Sequence, residues 1–85
     1  MIGGSKKNIE VRYYASLREQ AGKESETILT DCRTYGDLYE DLRRKYPFTL
    51  NLDMMQVAVD DAFVSMGAEI YSGQRIVFIP PMAGG

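Results

Sequence analysis

The chain has 85 residues, of which 45% are apolar and 26% are charged, and its formal net charge is −2. This length supports a single small domain with one hydrophobic core. Because the sequence has no basic stripe and no cations interleaved with aromatic residues, we expect no nucleic-acid binding, and no apolar run approaches the length of a membrane span.

The side chains that most often carry catalysis are scarce. The chain contains no histidine, which removes the commonest general base and the commonest metal ligand. Its single cysteine, Cys32, excludes a disulfide framework and any four-cysteine metal or iron–sulfur site. We interpret Cys32 as a structural thiol, since Arg33 is the only cation beside it. Self-contained hydrolytic or zinc chemistry is therefore not expected.

The first part of the chain predicts two strands separated by a short helix. Residues 1–7 lack the apolar segment of a signal peptide, so we predict a flexible extension and a cytoplasmic protein. Alternation over residues 8–14 predicts a half-buried strand whose inward side chains are Ile9, Val11 and Tyr13. Helix formers over residues 15–21 stop at Gly22, and the β-branched stretch 25–30 predicts a second strand.

The clearest helix begins at Thr34. With Asp37 three residues later, Thr34 approximates a capping box that has aspartate in place of the preferred glutamate. Acidic residues lie towards the start of this helix and the basic run 43–45 lies at its end, an order that complements the helix dipole. Pro47 ends the helix, whose apolar stripe consists of Tyr35, Leu38, Leu42 and Tyr46.

The remaining sequence predicts a loop and three more strands. The loop covers residues 48–55, and the strands cover residues 56–59, 62–64 and 75–79. Two aspartates between the first two of these strands suit a tight turn. The resulting order β-α-β-α-β-β-β has one long helix to cover one face of a sheet. It predicts an α+β roll in which helix and sheet share one core.

The last strand carries apolar side chains on both faces. Ile76 and Phe78 share one face, and Val77 and Ile79 share the other. Because one long helix covers only one face, we predict that part of the opposite face is a partner surface.

The sequence then ends in an arm. Pro80 and Pro81 fix φ and lack N–H donors, so the strand cannot continue through them. We predict that the arm leaves the fold extended, at a sheet edge. Gly84 and Gly85 close the sequence, a pair expected by chance in roughly 1 of 200 chain ends. The predicted organisation is an N-terminal extension, a folded domain and a tail, at residues 1–7, 8–79 and 80–85.

Three stretches resemble the MoaD/ThiS family of sulfur carriers. The most specific is the ending Phe78-Ile79-Pro80-Pro81-Met82-Ala83-Gly84-Gly85, which is similar to the family's Phe-x-Pro-Pro-x-x-Gly-Gly. Residues 11–19 resemble the family's apolar strand followed by a short helix with Arg-Glu. Residues 57–59 resemble its third strand, which a turn and a short strand follow. Together the stretches span about residues 8–85.

Two positions depart from the family's pattern. Asp60 stands where members often carry asparagine, and Gln74 stands where they usually carry aspartate. Both lie in predicted turns, so the departures concern local turn geometry more than function. The resemblance implies a β-grasp, ubiquitin-like fold with a mixed sheet of about five strands on one main helix plus a short helix. Since relatives in the thiazole pathway usually lack the Pro-Pro pair, the tail resembles most the small subunits of molybdopterin synthase.

The resemblance implies that the tail is the reacting group. An ATP-dependent adenylyltransferase activates the carboxylate of Gly85, and a sulfur donor protein supplies the sulfur of a thiocarboxylate. The tail then enters the large catalytic subunit of molybdopterin synthase, where the sulfur passes to a cyclic pterin precursor. The chain itself binds no cofactor on this reading, because the activating partner holds the ATP. The implied reactive residues are Gly85 and Gly84, and the implied partner contacts are Phe78, Ile79, Pro80, Pro81, Met82 and Ala83.

Other functions stay open at this point. One is a sulfur carrier for thiazole or another sulfur-containing product. Another is a ubiquitin-like modifier, whose Gly85 forms an isopeptide bond to a lysine. Both need an activated Gly-Gly end, so the sequence does not separate them. A plain binding module without tail chemistry is a third, and it would tolerate replacement of the last glycine.

Overall fold

The elements follow the predicted order along the chain, in a computed structural model that describes residues 6–81. The strands are β1 (Lys7–Tyr13), β2 (Ser25–Thr30), β3 (Gln56–Val59), β4 (Ala62–Val64) and β5 (Arg75–Ile79). The helices are α1 (Ala15–Ala21) and α2 (Tyr35–Lys45), and a 3₁₀ turn at Leu52–Met54 lies within the predicted loop.

Some predicted boundaries shift by one residue. β1 begins at Lys7, inside the predicted extension, because Lys7 pairs with Thr30 and its Nζ donates to the carbonyl oxygen of Cys32 at 2.9 Å. The same strand ends at Tyr13, since Tyr14 is already the N-cap of α1. The helix α2 ends at Lys45. Tyr46, which was predicted to belong to its apolar stripe, is therefore the C-cap residue and lies just after the helix.

The five strands form one mixed sheet in the order β2-β1-β5-β3-β4. β5 is the central strand, parallel to β1 and antiparallel to β3. The two edges are β2, which pairs with β1, and β4, which pairs with β3. The last strand of the chain therefore closes the sheet by joining its two halves.

One face of the sheet and α2 share the core. Every second residue of β1 is buried, as its alternating pattern predicted; in β5, Ile76 and Phe78 form the buried face, and α2 contributes its apolar stripe. Burying each such side chain contributes roughly 1.5–3 kcal/mol. The largest members of this core are Tyr13, Tyr35, Tyr39, Phe78, Ile9, Leu17, Leu38 and Ile76.

Both helices begin or end at the predicted capping residues. The Thr34 Oγ1 accepts the N–H of Asp37 at 3.1 Å, which satisfies one donor of the first turn of α2. Gly22 ends α1 with φ of +77°, and its N–H donates to the carbonyl oxygen of Arg18 at 2.9 Å. Neither helix in residues 6–81 is long and apolar enough to cross a membrane.

The turn between β3 and β4 explains one departure from the family's pattern. Asp60 and Asp61 have φ of +50° and +73°, and two successive positive φ values are typical of the two-residue hairpin turn that asparagine and glycine favour. Asp60 also accepts the N–H of Arg75 through its Oδ1 at 3.0 Å, which joins the turn to β5. The second departure, Gln74, accepts the Tyr35 hydroxyl at 2.7 Å. Both residues thus make specific hydrogen bonds.

Replacing Asp61 by glycine should stabilise the protein, because glycine adopts a positive φ without a Cβ clash. We expect about 0.5 kcal/mol more free energy of unfolding, after part of the gain is offset by the freedom of glycine in the unfolded chain. Asp60→Gly is the matched control: it relieves the same conformation but removes the acceptor of the Arg75 N–H, at a cost of about 1 kcal/mol. Urea denaturation measures both variants, and equal stabilisation by both would contradict the role given to Asp60.

Candidate functional site

The arm leaves the fold at the end of the central strand. β5 ends at Ile79, and the preceding residue, Phe78, is level with Tyr13 of β1. Pro80 is half-buried and Pro81 is exposed, and neither has an N–H with which to extend the ladder. The prediction that the arm leaves at a sheet edge is wrong, because β5 lies between β1 and β3. The arm starts from the middle of the sheet.

Phe78 differs from its predicted role as a partner contact. Its side chain is fully buried on the face covered by α2, with its ring centroid 5.3 Å from that of Tyr39. A partner cannot reach this ring in the folded chain, so Phe78 is a core residue. The predicted contacts Ile79 and Pro80 are half-buried and Pro81 is exposed.

The rest of the predicted site lies outside the described residues. This applies to the predicted contacts Met82 and Ala83 and to the predicted reactive residues Gly84 and Gly85. Their roles stay predictions. The structure bears on them through the residues that hold the root of the arm.

A mainly apolar groove of about 540 Å³ lies beside the root of the arm. Tyr14, at its rim, is 49% exposed. Ala15, the first residue of α1, has φ of +53°, a conformation that costs an alanine about 1–2 kcal/mol. Such strain often clusters at functional sites. The residues that line the groove are Tyr14, Ala15, Ser16, Leu50, Ile79, Pro80 and Pro81.

Sequence reasoning missed Tyr14 and Leu50 as residues of this site. Tyr14 lies in a stretch that resembles the family, but its position was predicted to belong to the strand. Leu50 lies in the loop after α2, and its carbonyl oxygen accepts the Tyr39 hydroxyl at 2.8 Å. Only the folded chain brings this loop to the arm, so no local pattern could have found Leu50.

The face of the sheet opposite α2 carries an apolar row, which we call the outer face and define as Ala58, Phe63, Val77 and Ile79. Phe63 pairs with Ala58, and Ala58 pairs with Val77, so the three lie side by side on β4, β3 and β5. Phe63 is 69% exposed, and the others are half-buried. The predicted partner surface is thus an apolar patch next to the root of the arm.

Charged side chains border the outer face. The Glu10 carboxylate lies 2.9 Å from the Arg12 Nε and 3.6 Å from the Arg75 Nε. These pairs are partly exposed and contribute little to stability. An apolar centre with a polar rim is typical of protein–protein interfaces.

A half-buried carboxylate, that of Glu26, fixes the strand beside the root of the arm. The Glu26 Oε2 accepts the hydroxyls of Tyr13 at 2.6 Å and of Tyr46 at 2.7 Å. The Glu26 Oε1 lies 3.4 Å from the Lys23 Nζ and 3.6 Å from the Lys45 Nζ. We call these five residues the Glu26 cluster. It joins β1, β2 and the end of α2 at the level of Phe78.

The cluster shifts the pKa of Glu26 and the pKa of Tyr13. Partial burial on its own raises the pKa of the Glu26 carboxyl, but hydrogen bonds from Tyr13 and Tyr46 and the charges of Lys45 and Lys23 outweigh burial and lower that pKa. Burial, followed by the hydrogen bond to Glu26, raises the pKa of the Tyr13 hydroxyl. At neutral pH the hydroxyl is therefore a donor and the carboxylate an acceptor.

Cys32 and the metal-binding residue types form no site of their own in the described chain. Cys32 is a free, half-buried cysteine packed against the core, and its N–H donates to the Thr30 Oγ1 at 3.1 Å. Within residues 6–81, no group of three or more histidine, cysteine, aspartate or glutamate side chains is placed to hold a metal ion.

A protein-family model described as the ThiS family matches residues 11–85. The match includes β1 from Val11 onward, every later element and the arm. It therefore covers the groove, the outer face and the terminal glycines together.

Solved structures of similar fold include carriers and modifiers. The putative molybdopterin converting factor subunit 1 of Pyrococcus furiosus is 26% identical, with a TM-score of 0.74 over 89% of this chain and 99% of that chain. Small archaeal modifier protein 1 of Haloferax volcanii is 22% identical, with a TM-score of 0.73 over 89% of this chain and 99% of that chain. These likenesses confirm the predicted ubiquitin-like β-grasp fold.

A third solved structure contains a partner. It is the protein–protein complex of subunits 1 and 2 of the molybdopterin-converting factor of Helicobacter pylori. The matching chain is 22% identical, with a TM-score of 0.60 over 92% of this chain and 99% of that chain. A protein of this fold therefore assembles with a second subunit.

The Glu26 cluster should make stability depend on pH. Since the folded-state pKa of Glu26 is lowered, the contribution of the cluster is present above the unfolded pKa of about 4.3 and is lost as pH falls through the folded value. Glu26→Gln should destabilise the protein by about 1–2 kcal/mol at pH 7, and the difference from the wild type should shrink below about pH 4. Urea denaturation between pH 7 and pH 3 measures this.

The exposed neighbour Glu24 provides the control for that experiment. Glu24→Gln should change stability by less than about 0.5 kcal/mol at every pH. A difference between the wild type and Glu26→Gln that stays constant down to pH 3 would show that the carboxylate charge has no part in the cluster.

Proposed function

Since this chain belongs to the ThiS family, we propose that it is a sulfur carrier whose Gly85 carboxylate is activated and converted to a thiocarboxylate by partner proteins. The observation that carries the proposal is the position of the arm: a Pro-Pro segment leaves the end of a central, buried strand, next to an exposed apolar face. The described residues provide a fixed root and a docking surface. The reacting atoms lie on the arm.

The proposed chemistry needs partners at each step. A carboxylate is a poor acceptor for a nucleophile, so an adenylyltransferase first joins the Gly85 carboxylate to the AMP moiety of ATP and releases pyrophosphate. A sulfur donor protein then delivers sulfur at the oxidation level of sulfide, and this HS⁻ attacks the acyl carbon, forms the C–S bond of the thiocarboxylate and displaces AMP. The carrier supplies the carboxylate, and its partners supply the nucleotide site, the acids and the bases. A chain without histidine suits this division.

The arm is suited to entering a narrow active site. Pro80 and Pro81 restrict the conformations of the segment where it leaves β5, which lowers the entropy lost when the arm docks. Gly84 and Gly85 have no Cβ, so they fit a narrow channel and leave the terminal carbonyl open to attack. Ile79 pairs with β3 and holds the root in place.

Within the family, we propose the small subunit of molybdopterin synthase as the specific role. The sulfur of Gly85 then passes to a cyclic pterin precursor in the large catalytic subunit, and two such transfers build the dithiolene of the molybdenum cofactor. The likeness to a molybdopterin converting factor subunit 1 at 26% identity supports this role. So does the Pro-Pro-x-x-Gly-Gly ending.

We propose that the outer face and the groove at the root receive the large subunit. Phe63 provides an exposed aromatic side chain for the centre of the proposed interface. Aromatic side chains at such positions often contribute most of the binding energy. The charged rim of Glu10, Arg12 and Arg75 then sets the orientation. The assembly of a similar chain with a subunit 2 supports a partner of this kind.

The second candidate is a ubiquitin-like protein modifier. It is favoured by the likeness to a small archaeal modifier protein, whose coverage of both chains equals that of the converting factor subunit. The activated Gly85 would then be attacked by the Nζ of a lysine rather than by sulfur. A carrier for thiazole or another sulfur-containing product uses the same arm and the same activation.

Removal of Gly85 should abolish thiocarboxylate formation, because the activated carbonyl would no longer reach the sulfur donor. The purified chain is incubated with ATP, the adenylyltransferase and a sulfur donor, and intact-mass spectrometry measures the replacement of one carboxylate oxygen by sulfur. Gly85→Ala should also lose most of the product. Lys6→Arg is the control and should react like the wild type, because Lys6 is exposed and precedes β1 at the end of that strand remote from Tyr13.

The products separate the candidates. Thiocarboxylate on the wild type that converts the cyclic pterin precursor, with the large subunit present, supports the synthase role. If the chain were found attached to lysines of other proteins in a cell extract, and no thiocarboxylate were formed, the modifier function would be favoured over the carrier function. Unimpaired thiolation of the shortened chain would refute activation at Gly85.

A charge on the outer face should prevent association with the large subunit without unfolding the chain. Phe63→Asp removes the exposed aromatic anchor and should weaken binding by at least about a hundredfold. Isothermal titration calorimetry measures binding, and urea denaturation checks the fold. Leu29→Asp is the matched control, because Leu29 is 63% exposed on the opposite edge of the sheet. Equal weakening by both variants would contradict docking on the outer face.

A further inference from the structure

One edge of the sheet is formed by β2, a strand of six residues that is paired with β1 on its inner side only, within the described residues. β2 pairs with β1 in a continuous register from Arg12–Ser25 to Lys7–Thr30, and within residues 6–81 no strand pairs with its other side. Alternate residues of an edge strand direct their N–H and C=O groups away from the sheet. β2 contains no proline and no lysine, which commonly protect such edges. It is therefore a template for a further strand.

The opposite edge is much less suited to pairing. β4 has only three residues and follows directly on the Asp60-Asp61 turn. A short strand next to carboxylates is a common protection against unwanted pairing. The two edges thus differ in a way that favours β2 as the site of strand addition.

A groove of about 410 Å³ runs along this edge, between β2 and α2. We call it the β2–α2 groove. Ile28, Leu38 and Leu42 contribute its apolar part. Leu29 also borders it, but its pairing with the exposed Asn8 places its side chain on the other side of the strand, where it is 63% exposed. A strand added here would find apolar contacts for both of its faces.

The charges around the groove are mainly positive. Arg44 and Lys45 line it, with 79% and 57% of their side chains exposed. Arg44 pairs with Asp41 at 3.3 Å, whereas Lys45 and Lys23 share the single carboxylate of Glu26. Of the charged residues that line the groove, Arg44 and Lys45 are cations and Asp41 is a carboxylate, so the lining is net positive in a chain whose net charge is −2. Exposed pairs of this kind are weak, so the cations can turn to an acidic ligand.

We propose that β2 and the β2–α2 groove bind an extended segment of another protein, which adds a sixth strand to the sheet. The segment has alternating apolar and β-branched residues that contact the groove and Leu29, and a short acidic run that meets Arg44 and Lys45. Main-chain hydrogen bonds provide much of the affinity in this mode, and side-chain pockets provide specificity. The site is distinct from the arm, because β1 lies between β2 and β5.

A second copy of the chain fits this edge less well. Its β2 would bring one carboxylate, Glu26, to the interface. That carboxylate already accepts the hydroxyls of Tyr13 and Tyr46. Within β2 itself, a second copy therefore provides no carboxylate that is free of such bonds, whereas an acidic peptide does.

The probe is a fluorescein-labelled peptide, Val-Ile-Thr-Val-Asp-Asp-Glu, tested in this order and in the reverse order by fluorescence anisotropy against the full chain. At least one order should bind. Its binding should weaken by about tenfold when amides replace the three acids, and by about tenfold in Leu29→Asp and in Arg44→Glu. Raising the salt concentration should weaken the acidic peptide more than the amide version. Phe63→Asp, on the opposite edge, should bind the peptide like the wild type.

Backbone methylation tests strand addition directly. N-methylation of one set of alternate peptide residues should abolish binding, and N-methylation of the other set should leave it within about threefold, because only one edge of the added strand faces β2. Backbone amide shifts in NMR spectra should change along β2 and the facing side of α2. Denaturation midpoints confirm that each variant is folded.

Four results would overturn the proposal. They are a failure of both peptide orders to bind, equal weakening by both methylation patterns, equal weakening in Phe63→Asp and Leu29→Asp, and sedimentation showing a dimer of the chain alone that Leu29→Asp dissociates. The last would make a second copy the occupant of β2. None of these results depends on thiolation of Gly85, so they leave the sulfur-carrier proposal to its own test.

Discussion

The pairing of β5 with β1 on one side and β3 on the other is the interaction on which the rest of the structure depends. Without β5, the sheet falls into two separate antiparallel pairs, β2-β1 and β3-β4. The parallel pairing brings together the two ends of the chain, from Glu10 with Arg75 to Tyr13 with Phe78. Pairing between residues so far apart in the sequence closes a long loop, and the entropy of that closure is lost before the contacts can stabilise the sheet. The strand that precedes the arm is therefore also the strand that completes the domain.

In this arrangement, the two faces of β5 have different environments. Ile76 and Phe78 are fully buried against α2 and fix the strand, while Val77 and Ile79 remain half-buried on the outer face. The Glu26 cluster reinforces the same region from the β1 side, because Tyr13 is level with Phe78 and donates to Glu26. The arm therefore starts from a fixed position in the sheet.

The sequence predicted the elements well because each has a local cause. Period-two alternation predicted β1, and an apolar run that stops at two prolines predicted β5. Thr34 predicted the start of α2, and Gly22 predicted the end of α1. The order of the strands, the burial of Phe78 and the groove beside Leu50 depend on contacts between distant parts of the chain. No single window of sequence contains those contacts, so periodicity could not supply them.

The resemblance to the family predicted some of these long-range features, but not all of them. It implied the β-grasp order and directed attention to the arm, yet it implied that every residue from Phe78 to Ala83 contacts a partner, with Gly84 and Gly85 as the reactive residues. The two-sided environment of β5 divides that ending into a buried residue and exposed ones. It also left out Glu26, because a glutamate in a weakly predicted strand has the same local signature whether it is solvated or bound by two hydroxyls. Buried polar clusters of this kind can be found only when the fold is known.

The distance between the arm and β2 has a consequence for how such a carrier can be used. A protein that must visit several partners in succession presents the same arm and the same outer face to each of them, so those partners exclude one another. β2 lies beyond β1 from the arm, and its free backbone edge points away from β5. A ligand on β2 can therefore remain bound while the arm is exchanged between partners. In a fold of this size, the central position of β5 makes such a separation possible, because it places the root of the arm away from both edges of the sheet.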